Sequence, residues 1–165
     1  SWQSVADRAN PDDFLICSTS RAYFHRSDWL AQMMAARHTY GEGVYTTSAS
    51  HEGGLHACMR FFGVDARFLK AYPVQMNSRE GHRFENRAEG PVPSFGQFVE
   101  NAGGKQMVCT WEGPFEKPDW FAPVNRFRNG DQSNMLVFDR HTDIYRDASP
   151  DEKLRLEAMT NPPKP

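Results

Sequence analysis

Cysteine is scarce in this sequence, and its spacing excludes two common kinds of small domain. The three cysteines, Cys17, Cys58 and Cys109, lie far apart, and no two of them have the C-x-x-C spacing. An odd number without that spacing excludes a simple disulfide framework and a standard zinc finger. Two arrangements stay open: one disulfide with a free thiol, or three buried thiols.

Long apolar runs and an excess of positive charge are also missing. No segment approaches the roughly 20 apolar residues of a transmembrane helix, so we expect no membrane span, and no signal peptide is visible at Ser1. The 19 Lys and Arg residues are balanced by 21 Asp and Glu residues. A nucleic-acid-binding surface would show as a basic stripe, so we expect no nucleic-acid partner.

The sequence does contain enough large apolar side chains to form one hydrophobic core. Only 39% of its 165 residues are hydrophobic, but they include twelve Phe, five Tyr and four Trp, whose large side chains bury much area. This length suits one ordinary domain. We therefore predict a single globular domain over residues 1–165, with a frayed tail from about residue 160.

Apolar patterning and turn residues predict a mixture of helices and strands. We expect an α+β fold, with flanking helices on a small mixed or antiparallel sheet, and a well-buried first long helix. The predicted strands are Phe14–Cys17, Val44–Ser48, Arg67–Met76, Gln106–Trp111 and Asn134–Asp139. The predicted helices are Trp29–Arg37, Glu52–Phe62, Phe95–Glu100 and Asp151–Met159, with a long loop over Asn77–Pro93.

The most specific local pattern is Gly-Glu-Gly-Val-Tyr-Thr-Thr-Ser, which starts at Gly41. Its glycines permit a tight turn against a ligand, and its strand carries a tyrosine and three hydroxyls. The stretch from Tyr23 to Gly63 resembles the core of the ADP-ribosyltransferase superfamily. Toxins of the cholera and pertussis type carry a Ser-Thr-Ser strand followed by a short helix, whereas the poly-ADP-ribose polymerases carry Gly-x-Gly-Val/Ile-Tyr.

This resemblance implies a fold, a substrate and a biological setting. The fold would be the split sheet of ADP-ribosyltransferases, and the substrate would be NAD. The activity would be transfer of ADP-ribose to a protein target, the mono-ADP-ribosyltransferase reaction, or NAD hydrolysis. The toxin branch further implies a secreted protein or an effector delivered into a host cell.

The resemblance also assigns NAD-binding roles to individual residues. Tyr45 would stack on the nicotinamide ring, while Thr46, Thr47 and Ser48 would shape the site and hydrogen-bond the ribose. Arg26 would contact the NAD phosphates. The family's first motif is an Arg or a His on an early strand, and Arg146 in Ile-Tyr-Arg-Asp is a second match for it, near the other end of the chain.

The chemistry further requires a carboxylate. Nicotinamide leaves the ribose through a cation-like transition state, which a fixed carboxylate stabilises while it holds a ribose hydroxyl. We select Glu100 as the catalytic residue, with Glu112 in reserve; Glu116 is a further candidate.

Two other classes of function remain as alternatives. A cysteine-dependent hydrolase or deamidase would use a Cys–His pair, but in a helix His56 and Cys58 would lie on different faces. A non-catalytic binding module would use the Trp-, Phe- and Pro-rich segment 111–127. His51 and His56 do not have the His-Glu-x-x-His spacing, so we expect no metalloprotease site.

Overall fold

Five strands form one mixed sheet, and two further strands form a small separate sheet, in a computed structural model that describes residues 2–74, 84–85 and 91–162. The α+β fold is therefore confirmed. The helices are α1 (Trp2–Ala6), α2 (Trp29–Tyr40), α3 (Ala66–Ala71), α4 (Phe95–Asn101), α5 (Arg140–Asp147) and α6 (Pro150–Thr160). The strands are β1 (Phe14–Ser18), β2 (Gly43–Thr46), β3 (Ala49–Ser50), β4 (His56–Ala57), β5 (Phe61–Asp65), β6 (Lys105–Thr110) and β7 (Gly113–Phe115).

The five-stranded sheet has the order β1-β5-β2-β6-β7. β2 and β6 are parallel, with Tyr45 opposite Met107, and the other neighbouring pairs are antiparallel. β3 and β4 form the second sheet, in which Ser50 pairs with His56. Since β3 directly follows β2, the small sheet continues from the end of a central strand.

Apolar side chains cover both faces of the large sheet. Val44 and Phe62 belong to one core cluster, while their neighbours Tyr45 and Phe61 belong to the other. This alternation follows from the strand period of two. All four residues of β2 are buried, as expected for a central strand between two covered faces.

Several predicted elements are confirmed within one to three residues at each end. These are the strands β1, β2 and β6 and the helices α2, α4 and α6. The expectation that α2 is well buried was wrong, because only Met33 and Ala36 of its residues are buried. Asp28 precedes α2 with φ 67° and makes no side-chain cap.

The predicted helix Glu52–Phe62 and the predicted strand Arg67–Met76 were wrong. Gly53 and Gly54 adopt φ of 74° and 119°, and this turn reverses the chain so that β4 pairs with β3. The apolar residues that follow form β5, which lies between β1 and β2. The chain then enters α3, where Phe68 and Leu69 pack into the core.

The C-terminal third also departs from the prediction. Asn134–Asp139 is not a strand: it makes two isolated bridges, Thr110 to Met135 and Tyr23 to Phe138. α5 was not predicted. The loop proposed for Asn77–Pro93 lies mostly outside the described residues, and so does the end of the tail. Thr160 is fully buried, and its carbonyl accepts a hydrogen bond from the backbone of His51, so the chain is anchored at this point.

Among the helices of the described part of the chain, none combines the length and the apolar character that crossing a membrane requires.

Candidate functional site

Tyr45, the residue expected to stack on nicotinamide, lies in the core. Its exposed fraction is 0%, its ring packs edge-on against Phe14, and its hydroxyl donates to the carbonyl of Gly41. Burial raises the pKa of this hydroxyl. A nicotinamide ring has no access to this position, so the stacking role is corrected to a structural one.

The hydroxyls that follow Tyr45 are also buried. Thr46 donates to the carbonyls of Ser48 and Met107, at 3.2 and 3.3 Å, which leaves its hydroxyl engaged in the core. Thr47 and Ser48 are each 5% exposed. The segment acts as a support for β3, whose Ser50 lines a cavity described below.

The structure does not bring the two predicted catalytic acids together. Glu100 lies in the last turn of α4, and its carboxylate is 3.6 Å from the Lys117 ammonium. Glu112 follows the other end of β6, where its backbone N–H donates to Thr110 and Asn134. Because β6 separates the two acids by roughly 17 Å of extended chain, they cannot serve one site.

Arg26 lines neither of the two cavities described below. It is exposed, and its guanidinium lies 4.1 Å from the centre of the Trp111 ring. Trp111 opens the aromatic segment 111–127, in which Trp120 and Phe127 are buried. These contacts hold the segment against the rest of the fold.

The main cleft consists of two adjoining cavities of about 380 and 370 Å³ that share Arg60, Glu85 and His141. Each volume lies within the range of about 300–1,000 Å³ that is usual for ligand sites. The first cavity has an apolar wall of Trp2, Met59 and Phe84. The second is lined by Ser50, Glu52, Gly53, His56, Phe127 and Arg128 in addition to the shared residues.

Arg60 stands at the junction of the two cavities. Its Nε lies 2.6 Å from Oδ2 of Asp139, and its guanidinium lies 4.5 Å from the centre of the Phe127 ring. Its carbonyl accepts from the backbone of Thr19, which follows β1. Arg60 therefore joins the end of β1 to the N-terminus of α5.

Arg128 approaches the same ring. Its guanidinium carbon is 4.9 Å from the centre of the Phe127 ring, and Nη1 contacts Glu52 at 3.1 Å and Thr160 at 3.3 Å. Its side chain is 8% exposed, and its buried Nε has no hydrogen-bond partner among the described residues. Two guanidinium groups thus share one aromatic ring at one cavity.

Asp139 combines two roles beside the cleft. Its Oδ1 accepts from the backbone N–H groups of His141 and Thr142, at 2.8 and 3.1 Å, and so caps α5. Nδ1 of His141 lies 3.5 Å from Oδ2, too far for a good hydrogen bond but close enough for electrostatic attraction. Burial favours the neutral acid, but His141, Arg60 and the Thr142 amide outweigh it and hold the pKa of Asp139 well below its usual range.

We expect Asp139→Asn to destabilise the protein by about 2 kcal/mol at neutral pH, because asparagine retains the cap but loses the charge. A depressed pKa adds stability above the unfolded pKa of about 3.9, and this stability is lost as the pH falls towards the folded value. Urea unfolding of both proteins between pH 7 and pH 2.5 should therefore show their stabilities converging below about pH 4. A constant difference over this range would contradict the assignment.

The sequence prediction missed Arg60, Arg128 and Asp139. Arg60 lay inside a segment predicted as a helix, so its place in the cleft could not be foreseen. The cap at Asp139 carried a readable signal, since Asp followed three residues later by Thr142 satisfies the start of a helix. No sequence signal links Arg128 to Arg60.

The cysteines are all free and buried, which selects the second of the two arrangements left open by the sequence. Within residues 2–74, 84–85 and 91–162, no group of three or more His, Cys, Asp or Glu side chains is placed to hold a metal ion. Comparison with protein-family models found no match, and comparisons with curated proteins and with solved structures found none either.

Proposed function

We propose that the double cavity binds NAD and that the protein is a mono-ADP-ribosyltransferase-like enzyme, which transfers ADP-ribose to a protein target or to water. The observation that carries this proposal is that two guanidinium groups, those of Arg60 and Arg128, line one cavity. The resemblance around Gly41 to Ser48 supplies the reaction class. We assign the binding of NAD to residues of the cleft and no longer to residues of that motif.

The arginine pair suits a diphosphate. Both guanidiniums lie within 5 Å of the centre of the Phe127 ring, at 4.5 and 4.9 Å, so both pack on the same ring. Guanidinium forms strong, charge-assisted hydrogen bonds with phosphate oxygens. Their acidic partners, Asp139 and Glu52, hold the side chains in place before a ligand arrives.

The first cavity suits a flat ring. Trp2, Met59 and Phe84 offer an apolar wall, and Trp2 and Phe84 lie 6.3 Å apart between ring centres. A dinucleotide with its phosphates at Arg60 would place one base against this wall. An apolar wall beside a few charged groups is the usual composition of a cofactor site.

Glu85 is the carboxylate that would stabilise the ribosyl cation. It lines both cavities, and its Oε1 accepts the backbone N–H of Met59 at 2.6 Å, which fixes the side chain. A fixed carboxylate beside the scissile bond stabilises positive charge as nicotinamide leaves. Glu100 and Glu112, outside the cleft, have no part in this arrangement.

The proposal predicts that NAD and ADP-ribose raise the melting temperature and that the protein releases nicotinamide from NAD. Arg60→Gln should weaken NAD binding about 10- to 100-fold, because it removes a charge-assisted contact. Glu85→Gln should keep binding but slow nicotinamide release by about 100-fold or more. Calorimetry measures the first effect, and chromatography of released nicotinamide measures the second.

Arg26→Gln is the matched control, since it makes the same change at an exposed arginine outside both cavities. It should leave NAD affinity and nicotinamide release unchanged. Absence of NAD binding by the unmodified chain would refute the proposal. Equal losses in Arg26→Gln and Arg60→Gln would show that the cleft is not the site.

A further inference from the structure

β1 forms one edge of the large sheet, and no strand of the described chain pairs with its outer side. The strand is five residues long and contains neither a charged residue nor a proline. The opposite edge differs, because β7 has three residues and its central Pro114 has no N–H to donate. Short strands, charges and prolines are the usual means by which proteins prevent association at sheet edges. Of these two edges, β7 has such protection and β1 has none.

The register of β1 on β5 decides which backbone groups of β1 point outwards. Where this register continues beyond the strand, the N–H of Thr19 donates to the carbonyl of Arg60 at 2.9 Å. Hydrogen-bonded pairs alternate along an antiparallel ladder, so the odd-numbered residues of β1 bond to β5. The even-numbered residues direct their N–H and C=O groups away from the sheet, and no turn or loop of the described chain bonds to these groups. They are Phe14, Ile16 and Ser18.

Exposed apolar side chains accompany this free edge. Ile16, the middle residue of β1, is exposed. The exposed ring of Phe24 lies 5.7 Å from the ring of Phe61, which pairs with Ser18 at the end of the strand. An exposed apolar edge with free backbone groups favours pairing with another strand.

Opposite charges at the two ends of β1 indicate which strand fits. Asp12 and Asp13 precede it, Arg21 follows it, and all three residues are exposed. When two copies of β1 pair in antiparallel orientation, the acidic end of each copy lies near the basic end of the other. A parallel arrangement would bring like charges together. The strand is therefore complementary to itself in the antiparallel orientation.

We propose that the edge of β1 is an interaction surface and that its partner is β1 of a second copy of the chain. Ile16 lies opposite its counterpart on a two-fold axis, and Phe14 of each copy lies opposite Ser18 of the other. Each of these pairs exchanges two backbone bonds, so about six hydrogen bonds join the two sheets into one. Both copies use the same surface, so the assembly closes as a dimer.

The first test is sedimentation velocity of the unmodified chain between about 1 and about 100 μM, where a monomer–dimer equilibrium is expected. Ile16→Lys should raise the dissociation constant at least about tenfold, because two like charges then face each other across the axis. Leu154→Lys is the matched control at an exposed aliphatic residue of α6, and it should change nothing. A monomer at every concentration would overturn the proposal and leave the edge to a strand of another protein. A dimer that Ile16→Lys does not weaken would also overturn it.

The two-fold axis at Ile16 makes a sharper prediction. Ile16→Glu alone should weaken the dimer as Ile16→Lys does. An equimolar mixture of the two variants should restore the affinity to within about threefold of that of the unmodified chain, because opposite charges then face each other. Ile16 is exposed, so both variants should fold, and circular dichroism checks this. A mixture of folded variants that stays monomeric would show that Ile16 does not lie on the axis, and the proposal would fail.

Hydrogen exchange of single amides locates the interface. In the dimer, the outward N–H groups of Phe14 and Ile16 should exchange at least about tenfold more slowly than in Ile16→Lys. The N–H groups of Leu15 and Cys17 bond to β5, so their exchange should be the same in both proteins. Equal exchange of the outward amides in the two proteins would contradict the pairing. These measurements use no NAD, so their outcome is independent of the proposed enzyme activity.

Discussion

Replacing Asp65 with alanine is expected to lower the free energy of unfolding by about 3 kcal/mol, the loss that follows when a buried ion pair loses one partner. Asp65 is fully buried at the end of β5. Its Oδ1 accepts from the Arg37 guanidinium of α2, and its Oδ2 accepts from the backbone of Gly43 at 2.8 Å. Alanine would leave a buried N–H unsatisfied and a guanidinium without its acid.

This loss should appear as a fall in melting temperature of roughly 6–12 °C. Glu42→Ala provides the control in the adjoining turn, because Glu42 also pairs with an arginine, Arg67. Both side chains of that pair are 41% exposed, so the control should cost less than about 1 kcal/mol. Similar losses in the two variants would show that burial of Asp65 does not matter.

Sequence patterns correctly predicted the strands whose local preference for extended structure agrees with their place in the sheet. β2 contains Val44, Tyr45 and Thr46, β6 contains Val108 and Thr110, and both strands occupy buried positions in the sheet. The failure at Glu52–Phe62 has the opposite origin. In a short apolar run with good helix formers, the hydrophobic periodicity does not distinguish a helix from a strand. The pairing of β5 with β1 and β2 then outweighs the local preference for a helix.

That one error changed the expected relation between His56 and Cys58. On a helix, His56 and Cys58 are two positions apart and face different directions, whereas on an extended chain they share a face. The helical period therefore gave a wrong reason against the cysteine alternative, and the structure adds another: Cys58 is buried and lines neither cavity.

The anion-binding half of the cleft was beyond local sequence reasoning for another reason. Three separate parts of the chain supply its residues. Arg60 directly precedes β5, Arg128 lies in a loop where its φ is positive, and Asp139 caps α5. Each residue has an ordinary local setting, and only the tertiary fold brings them to one cleft. Conversely, the motif Gly41–Ser48 looked functional because its glycines and hydroxyls are unusual, and the structure assigns them contacts in the core.

Gly43 is the clearest case of such a structural role, and Gly43→Ala is expected to destabilise the protein by about 3 kcal/mol. A Cβ at this position would lie 2.2 Å from the carbonyl oxygen of Lys105 and 2.7 Å from its nitrogen. These are backbone atoms of the strand paired with β2, so they cannot move without breaking the parallel ladder. Denaturant unfolding followed by circular dichroism measures the loss.

Gly96→Ala is the matched control, because it makes the same change at a position where the new Cβ would meet a flexible side chain and not backbone atoms. Its Cβ would meet the side-chain amide of Gln106, which rotates, and alanine also favours the helix α4 by about 1 kcal/mol. We expect less than about half the loss seen for Gly43→Ala. If the two positions tolerate alanine equally well, the close approach of β2 to β6 is not the reason why residue 43 must be glycine. The Gly-x-Gly turn would then again be a candidate ligand contact. If Gly43→Ala is the less stable and retains NAD affinity when folded, the turn supports the sheet and the cleft at Arg60 binds the ligand.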